Sequence, residues 1–356
     1  MDNLAHTLVG AVIGRALGAD RVPAAGWIGA IAANAPDWTE PLVGLPFLQR
    51  GTVSYYQLHR GITHSFLGAA IEAAILVLIV AALQHWWTRR RGINPPPLGV
   101  LTTLIVAAVL SHLYMDWQGS YGLRPFLPWS GRWYYADWVA IVDPFFWVIP
   151  LIAIAWGSER DWRPLTPILL IVLITGWLIA TRGDVTARWI QFGYASLLVI
   201  GAVGWQAHWF GFGRRSRIAV AALMVLALYA GAQAVVGAGV KAAIRGVARA
   251  RFGPGAESAA LTRIGTPFQW DPIYASRDTV AGPDWAVPRQ LADPRVQIAM
   301  RTPQGEAIAD WARFLAAEID PSPQGTVVVL RDLRYTRPPY RGWAVVSIPL
   351  PAIHSD

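Results

Sequence analysis

Long apolar segments in the first 250 residues constrain the fold of this chain more than any other feature. A helix needs about 20 apolar residues to cross the hydrocarbon core of a membrane. Two shorter apolar runs, 5–18 and 24–35, are separated by helix-breaking residues and predict a half-inserted helical hairpin. The sequence thus predicts a mainly α, polytopic membrane bundle of about six spans plus this hairpin. The predicted spans are residues 66–84, 98–115, 138–157, 164–181, 190–209 and 217–239.

The composition agrees with a membrane protein. Hydrophobic residues make up 54% of the chain and charged residues only 15%, whereas about a quarter of a soluble protein is charged. The absence of cysteine excludes a disulfide scaffold and a thiolate metal site. The first residues lack a basic segment, and Arg15 interrupts the first apolar run, so we expect no cleaved signal peptide.

The C-terminal tail, residues 251–356, differs from the rest. It holds 13 of the 26 prolines, balances 11 arginines against 11 acidic residues and has no long apolar run. Runs at 326–330 and 343–350 resemble strands, and the apolar spacing over 306–318 predicts an amphipathic helix. We therefore expect three parts: a helical membrane domain with a metal site (1–150), additional transmembrane helices (151–245) and a small soluble α+β domain (251–356).

The arginines predict the orientation in the membrane. The formal charge of +8 lies entirely in the first 250 residues, in short loops between apolar runs, which is typical of topology signals and not of nucleic-acid binding. By the positive-inside rule, the arginine-rich loops lie in the cytoplasm of a bacterium and the chain in its inner membrane. Residues 36–65, 116–137, 182–189 and the tail then face the periplasm. The topology-setting arginines are Arg89, Arg90, Arg91, Arg160, Arg163, Arg214, Arg215 and Arg217.

Histidines and aspartates gather on the predicted periplasmic side. His112 and Asp116 are four residues apart at a helix end, so both can ligate one cation, although such a pair could also be only hydrogen-bonded. His59 and His64 flank a glycine just before a span, and Asp37 ends the hairpin. This chemistry suits Zn²⁺, with Mn²⁺ possible. Glu72, within the first span, could support the site, carry protons or pack in protonated form.

These polar runs resemble the YdjM-type, LexA-binding, inner membrane-associated family of metal-dependent hydrolases, over about residues 1–150. The resemblance implies a phosphoesterase related to zinc-dependent phospholipase C. Where the family commonly has a second aspartate this chain has Thr39, followed by Glu40, which leaves the number of metals open. The implied metal ligands are His6, Asp37, His59, His64, His112 and Asp116. The matching runs are Met1 to Thr7, Asn34 to Asp37, His59 to Ser65, Ser111 to Asp116, Ser120 to Gly122 and Ile141 to Pro144.

Together these features lead us to expect a membrane-embedded phosphoesterase that uses metal-activated water on a lipid or other interfacial substrate. Asp37 or Asp143 would orient or deprotonate the water, and Arg60 would hold the phosphate. The alternative is a non-catalytic membrane protein in which the metal staples helix ends and the tail binds a partner. Cation transport is less favoured, because apart from Glu72 the spans offer almost no polar path.

Overall fold

A computed structural model describes residues 1–38, 52–158, 162–210, 212–322, 325–340 and 342–351. The chain forms two compact units, which are described separately. The first comprises Met1–Trp38, Ile62–Val236 and Thr262–Gln269, and the second Thr39–Gly61, Gly237–Leu261 and Trp270–Asp356.

Helices dominate the chain, and strands occur only after residue 256 in the part that the structure describes. The helices are α1 (Asn3–Gly18), α2 (Ala25–Ala33), α3 (Val53–Leu58), α4 (Phe66–Arg91), α5 (Leu98–Trp117), α6 (Phe145–Trp156), α7 (Trp162–Thr181), α8 (Arg188–Gln206), α9 (Arg215–Phe252), α10 (Pro294–Met300) and α11 (Pro303–Trp311). The strands are β1 (Glu257–Thr262), β2 (Trp270–Ala275), β3 (Thr279–Ala281), β4 (Ala286–Pro288), β5 (Leu315–Ser322), β6 (Gly325–Asp332) and β7 (Val345–Pro351).

Three helices, α4, α5 and α9, are long and apolar enough to cross a membrane by length and composition. They match three of the six predicted spans. The predicted span 138–157 is helical only from Phe145: Pro144 is the N-cap, and the carboxylate of Asp143 just before it accepts the amide proton of Phe145 at 3.0 Å. At 12 residues α6 is about 18 Å long, which is shorter than a bilayer core. The six-span prediction is thus supported for three segments.

The predicted N-terminal hairpin is present as α1 and α2, and it packs with unusually close backbones. A Cβ placed on Gly10 would lie 2.4 Å from the carbonyl oxygen of Gly29, and a Cβ on Gly29 would lie 2.1 Å from that of Gly10. Gly14 has the same relation to Ala25, at 2.0 Å. Glycines at positions 10, 14 and 18 line one face of α1, and such small residues at four-residue spacing let two helices approach closely.

The hairpin packs against α5, and together they form the core of the first unit. Leu104, Ile105 and Ala108 of α5 are completely buried in the same apolar cluster as Ala5 and Ala33 of the hairpin. Because these contacts join α1, α2 and α5, they fix the helix ends near which Asp37, His112 and Asp116 lie.

A short return segment, Thr262–Gln269, belongs to the first unit although it follows the first strand. The amide of Gly265 donates to the carbonyl of Val142 at 3.0 Å, and the hydroxyl of Thr266 donates to the carbonyl of Val185 at 2.8 Å. The first unit is therefore built from chain segments that lie far apart in the sequence.

The second unit contains two small sheets, one of order β1-β2-β3-β4 and an antiparallel one of order β5-β6-β7. The strand predictions at 326–330 and 343–350 are confirmed by β6 and β7. The helix predicted over 306–318 was wrong beyond Trp311: the amide of Arg313 donates to the carboxylate of Asp332 at 3.0 Å, and residues from Leu315 onward pair with β6 along their full length. Strand pairing outweighs the local helical pattern here.

Candidate metal centre

Four side chains from three parts of the first unit converge on one point. Asp37 lies in a helical turn over 35–38 after α2, His64 in the short 3₁₀ turn before α4, and His112 and Asp116 one turn apart on α5. One ligand atom from each lies within 4.8 Å of every other, and all four residues are buried. Buried ionisable groups at this density call for a shared partner, because each is costly to desolvate alone.

The distances between these atoms fit one divalent ion. His64 Nε2 lies 3.1 Å from Asp37 Oδ1, 3.4 Å from Asp116 Oδ2 and 3.2 Å from His112 Nε2. His112 Nε2 lies 3.5 Å from Asp37 Oδ1 and 3.6 Å from Asp116 Oδ2. Ligands at about 2.1 Å in a tetrahedron are separated by about 3.4 Å, so these five spacings are those of a tetrahedral cage.

Hydrogen bonds behind the ligands orient the two imidazoles. His112 Nδ1 lies 2.7 Å from the carbonyl oxygen of Ala33, an acceptor, so this nitrogen carries a proton, and Nε2 is the nitrogen that would present a lone pair to a metal ion. His64 Nδ1 lies 3.0 Å from the hydroxyl of Thr63. Both rings thus turn Nε2 toward the centre, which is the arrangement a metal ligand needs.

His6 lies directly behind the group of four. Its ring stacks on His112 with centroids 3.8 Å apart, and its Nε2 lies 3.3 Å from Asp116 Oδ1. The amino group of Met1 contacts the same carboxylate oxygen. Asp116 therefore directs Oδ2 to the centre and Oδ1 to His6 and the amino group of Met1. In this position His6 contacts and supports the candidate ligand Asp116.

The charges around Asp37 favour its ionised form. Burial acts to raise the pKa of Asp37, but hydrogen bonds from His112 and His64 outweigh burial and hold that pKa well below its usual range. A carboxylate that stays ionised is ready to bind a cation. Glu72 of α4 lies within electrostatic range of His64, His112 and Asp37, and its Oε2 is buried with no hydrogen-bond partner among the described residues.

Two of the candidate residues, His59 and Arg60, lie in the second unit. The ring of His59 stacks on Tyr55 at 4.9 Å, and Arg60 is buried with a backbone φ of 49°. Thr39 and Glu40 lie outside the described residues. The group of four therefore assembles from Asp37, His64 and the pair on α5.

Asp143 is fully buried in the first unit and has its own partners. Its carboxylate accepts from the hydroxyl of Tyr229 at 2.9 Å and from the side-chain amide of Gln233 at 3.0 Å, in addition to the amide of Phe145. Burial raises the pKa of Asp143 to about 6. Tyr229 and Gln233 could not be predicted as partners from the sequence, because they lie some 90 residues away and give no local signal. With these bonds, Asp143 holds α9 against the start of α6.

Comparison with known proteins gives one match. The model of a family described as YdjM inner membrane protein matches residues 1–185, a range that contains all four converging side chains. Searches of curated proteins and of solved structures find no match.

Proposed function

Because this chain belongs to the YdjM inner membrane protein family, and because Asp37, His64, His112 and Asp116 form a buried group that could hold a metal ion, we propose that it is a membrane-embedded metal-dependent hydrolase. The proposed reaction is hydrolysis of a phosphoester in a lipid or another substrate at the membrane interface. The observation that carries the proposal is the convergence of these four buried side chains into a group that could hold a metal ion.

The donor set favours zinc, with manganese as the second choice, since it combines two imidazole nitrogens with two carboxylate oxygens and no thiolate. When bound, such an ion would supply a Lewis acid and lower the pKa of a water molecule toward about 7. Asp37 and Asp116 would balance the charge of a divalent ion. The hydrogen bond from His112 to Ala33 would keep its ring in the orientation for binding.

Glu72 is the proposed proton acceptor. Among the described residues its Oε2 has no hydrogen-bond partner, although it is buried and lies within electrostatic range of His64, His112 and Asp37. A general base needs a carboxylate close to the reacting water and not already committed to other donors. Asp143 meets this requirement less well, because Tyr229, Gln233 and Phe145 already donate to it.

A structural metal centre is the second candidate function. Four protein ligands fill a tetrahedron, as in structural zinc sites, whereas catalytic zinc usually keeps one position for water. In that case the metal would fasten α5 to the hairpin and to the turn before α4, and the C-terminal unit would bind a partner protein.

Metal analysis of the purified full-length protein tests the site. We expect about one divalent ion per chain in the wild type and at least a tenfold loss in His64→Ala and Asp116→Ala, since removing one of four ligands weakens binding strongly. His85→Ala is the matched control, because His85 is an exposed histidine of α4 outside the group. Metal content unchanged in both ligand variants would refute the assignment.

An activity panel separates the two candidate functions. Phospholipids and soluble phosphodiesters are offered to the metal-loaded protein with and without chelator. The hydrolase proposal predicts chelator-sensitive turnover that falls about 100-fold or more in Glu72→Gln while metal content stays constant. A protein that keeps its metal but turns over none of these substrates would favour the structural centre.

The proposed topology is multi-pass, with the metal centre and the C-terminal unit on the periplasmic side of the inner membrane. The arginine-rich loops between the apolar helices support this orientation. When a reporter enzyme that is active only in the periplasm is fused to the C-terminus of the protein, we expect it to be active. If instead a C-terminal reporter that works only in the cytoplasm is active, the proposed orientation is wrong and the C-terminal unit lies in the cytoplasm.

A further inference from the structure

A cavity lies in the first unit, at the closed end of the N-terminal hairpin. Its volume is about 760 Å³, within the 300–1,000 Å³ typical of small-molecule sites. The turn that joins α1 to α2 forms one side, and residues of α6 and α7 form the other. Its arginine end is remote from the group of four, because Arg15 follows His6 by nine residues on α1, which is a rise of about 14 Å along the helix; Thr7 and Leu8 of the same helix also line the cavity.

Three arginines line this cavity: Arg15, Arg21 and Arg215. Arg15 is half-buried and donates to the carbonyl of Ile154 at 2.7 Å and to the hydroxyl of Ser158 at 3.3 Å. These bonds use two of its five N–H donors and fix the guanidinium in place. No carboxylate of the described chain lies within ion-pair distance of Arg15.

Arginine side chains bring positive charge to one end of the cavity. Arg15 and Arg215 line the same cavity: Arg15 donates to the carbonyl of Ile154, and Arg215 donates to the carbonyl of Ala19 at the turn between α1 and α2. Among the lining residues that the structure describes, Asp20 is the one that is acidic; it lies 2.9 Å from Arg215, but its side chain is 69% exposed and water screens its charge. Two like charges held together in this way favour an anion between them.

The remaining wall is apolar. Leu8 of α1 and Leu151 and Ile154 of α6 line one part, and Ile168 and Ile171 of α7 line another. A free inorganic anion would leave this wall uncovered, whereas an acyl chain would cover it. The cavity thus combines a cationic end and an apolar wall, which are the two chemistries of an anionic lipid.

We propose that this cavity binds an anionic phospholipid, with the phosphate between Arg15, Arg21 and Arg215 and an acyl chain along α6 and α7. Guanidinium groups bind phosphate oxygens through paired, charge-assisted hydrogen bonds. The site does not depend on the metal centre, and its occupant is a bound lipid and not the substrate of the proposed hydrolase.

Lipid titration of the full-length protein in neutral detergent tests the proposal. Phosphatidylglycerol and phosphatidylcholine are compared, and bound lipid is counted by native mass spectrometry. We expect phosphatidylglycerol to bind at least tenfold more tightly, and its affinity to fall about tenfold in Arg15→Gln and in Arg215→Gln. Arg217→Gln is the matched control, because Arg217 is exposed, lies two residues from Arg215 and does not line the cavity.

Two further arms keep the result decisive. Arg15→Gln could misfold because Arg15 bonds to Ile154 and Ser158, so Arg21→Gln, which changes an exposed side chain, should weaken binding as well. Glycerol phosphate, which has the headgroup but no acyl chain, should not displace the lipid at equal concentration. Equal binding of the two lipids, an equal effect of Arg217→Gln, or displacement by glycerol phosphate would each overturn the proposal. Metal content unchanged in these variants separates this outcome from the metal centre.

Discussion

Replacement of Gly29 by alanine should dislocate the metal centre from a distance. The new Cβ would meet the carbonyl oxygen of Gly10 at 2.1 Å, and its closest neighbours are backbone atoms that no rotamer change can remove. To reach an ordinary contact, α2 must recede from α1 by about 1 Å. Alanine favours a helix over glycine by about 1 kcal/mol, but overpacking costs about 1–3 kcal/mol and outweighs it.

The displacement reaches the ligands because α2 leads directly to them. The carbonyl of Ala33, near the end of α2, accepts the hydrogen bond that orients His112, and Asp37 follows in the next turn. We expect Gly29→Ala to lower the melting temperature in detergent by about 5 °C and to reduce metal content at least tenfold.

Gly26→Ala is the control within the same helix. A Cβ there would lie 3.5 Å from Arg15 Cγ, which is an ordinary contact, so this variant should melt at or above the wild-type temperature and keep its metal. Two Gly→Ala changes three residues apart therefore have opposite predicted signs. If Gly29→Ala melts like the wild type, the close backbone packing is not what holds the hairpin. If it is destabilised but keeps its metal, the link from α2 to the ligands is refuted.

Two further predictions concern buried carboxylates. The folded-state pKa of Asp143 is about 6, above its unfolded value, so the protein should lose ~3 kcal/mol of stability as pH rises from about 4 through 6. Thermal unfolding of Asp143→Asn should lack this pH-dependent loss of stability. Equal pH profiles of stability for the two proteins would contradict the prediction. Asp332→Ala should destabilise the second unit by about 3–5 kcal/mol, because it leaves the guanidinium of Arg334, 2.7 Å away and almost completely buried, without its carboxylate. Circular dichroism on heating checks this change, with Arg295→Ala as the control, because it removes the more exposed partner of the ion pair with Asp293; similar melting of both variants would refute it.

Local spacing predicted the parts of the site that are local. The four-residue interval between His112 and Asp116 places both on one face of α5, and the turn residues between the apolar runs predicted the hairpin that brings Asp37 near them. His59 and His64 look equivalent in the sequence, but the chain turns at Arg60, whose φ is positive, and the two histidines belong to different units. The five-residue interval between His59 and His64 gives no sign that a boundary between the two units lies within it.

Long-range pairing explains what the sequence could not predict. Asp143 carries no local sign of its bonds to Tyr229 and Gln233, because these residues come from a helix some 90 positions later. The residues after Trp311 have helical spacing but form β5, since β6 offers them a complete set of backbone partners. In both cases a partner distant in the sequence decides the local structure.

The return segment Thr262–Gln269 affects how the chain is made. The amide of Phe268 donates to the side-chain oxygen of Gln233 at 3.3 Å, so α9 gains this partner only after the ribosome has added about 35 more residues. At about 5–20 residues per second this takes several seconds, during which the membrane helices are already synthesised. These contacts of the first unit therefore form only after its membrane helices have been synthesised, and a protein shortened before residue 262 would lack them.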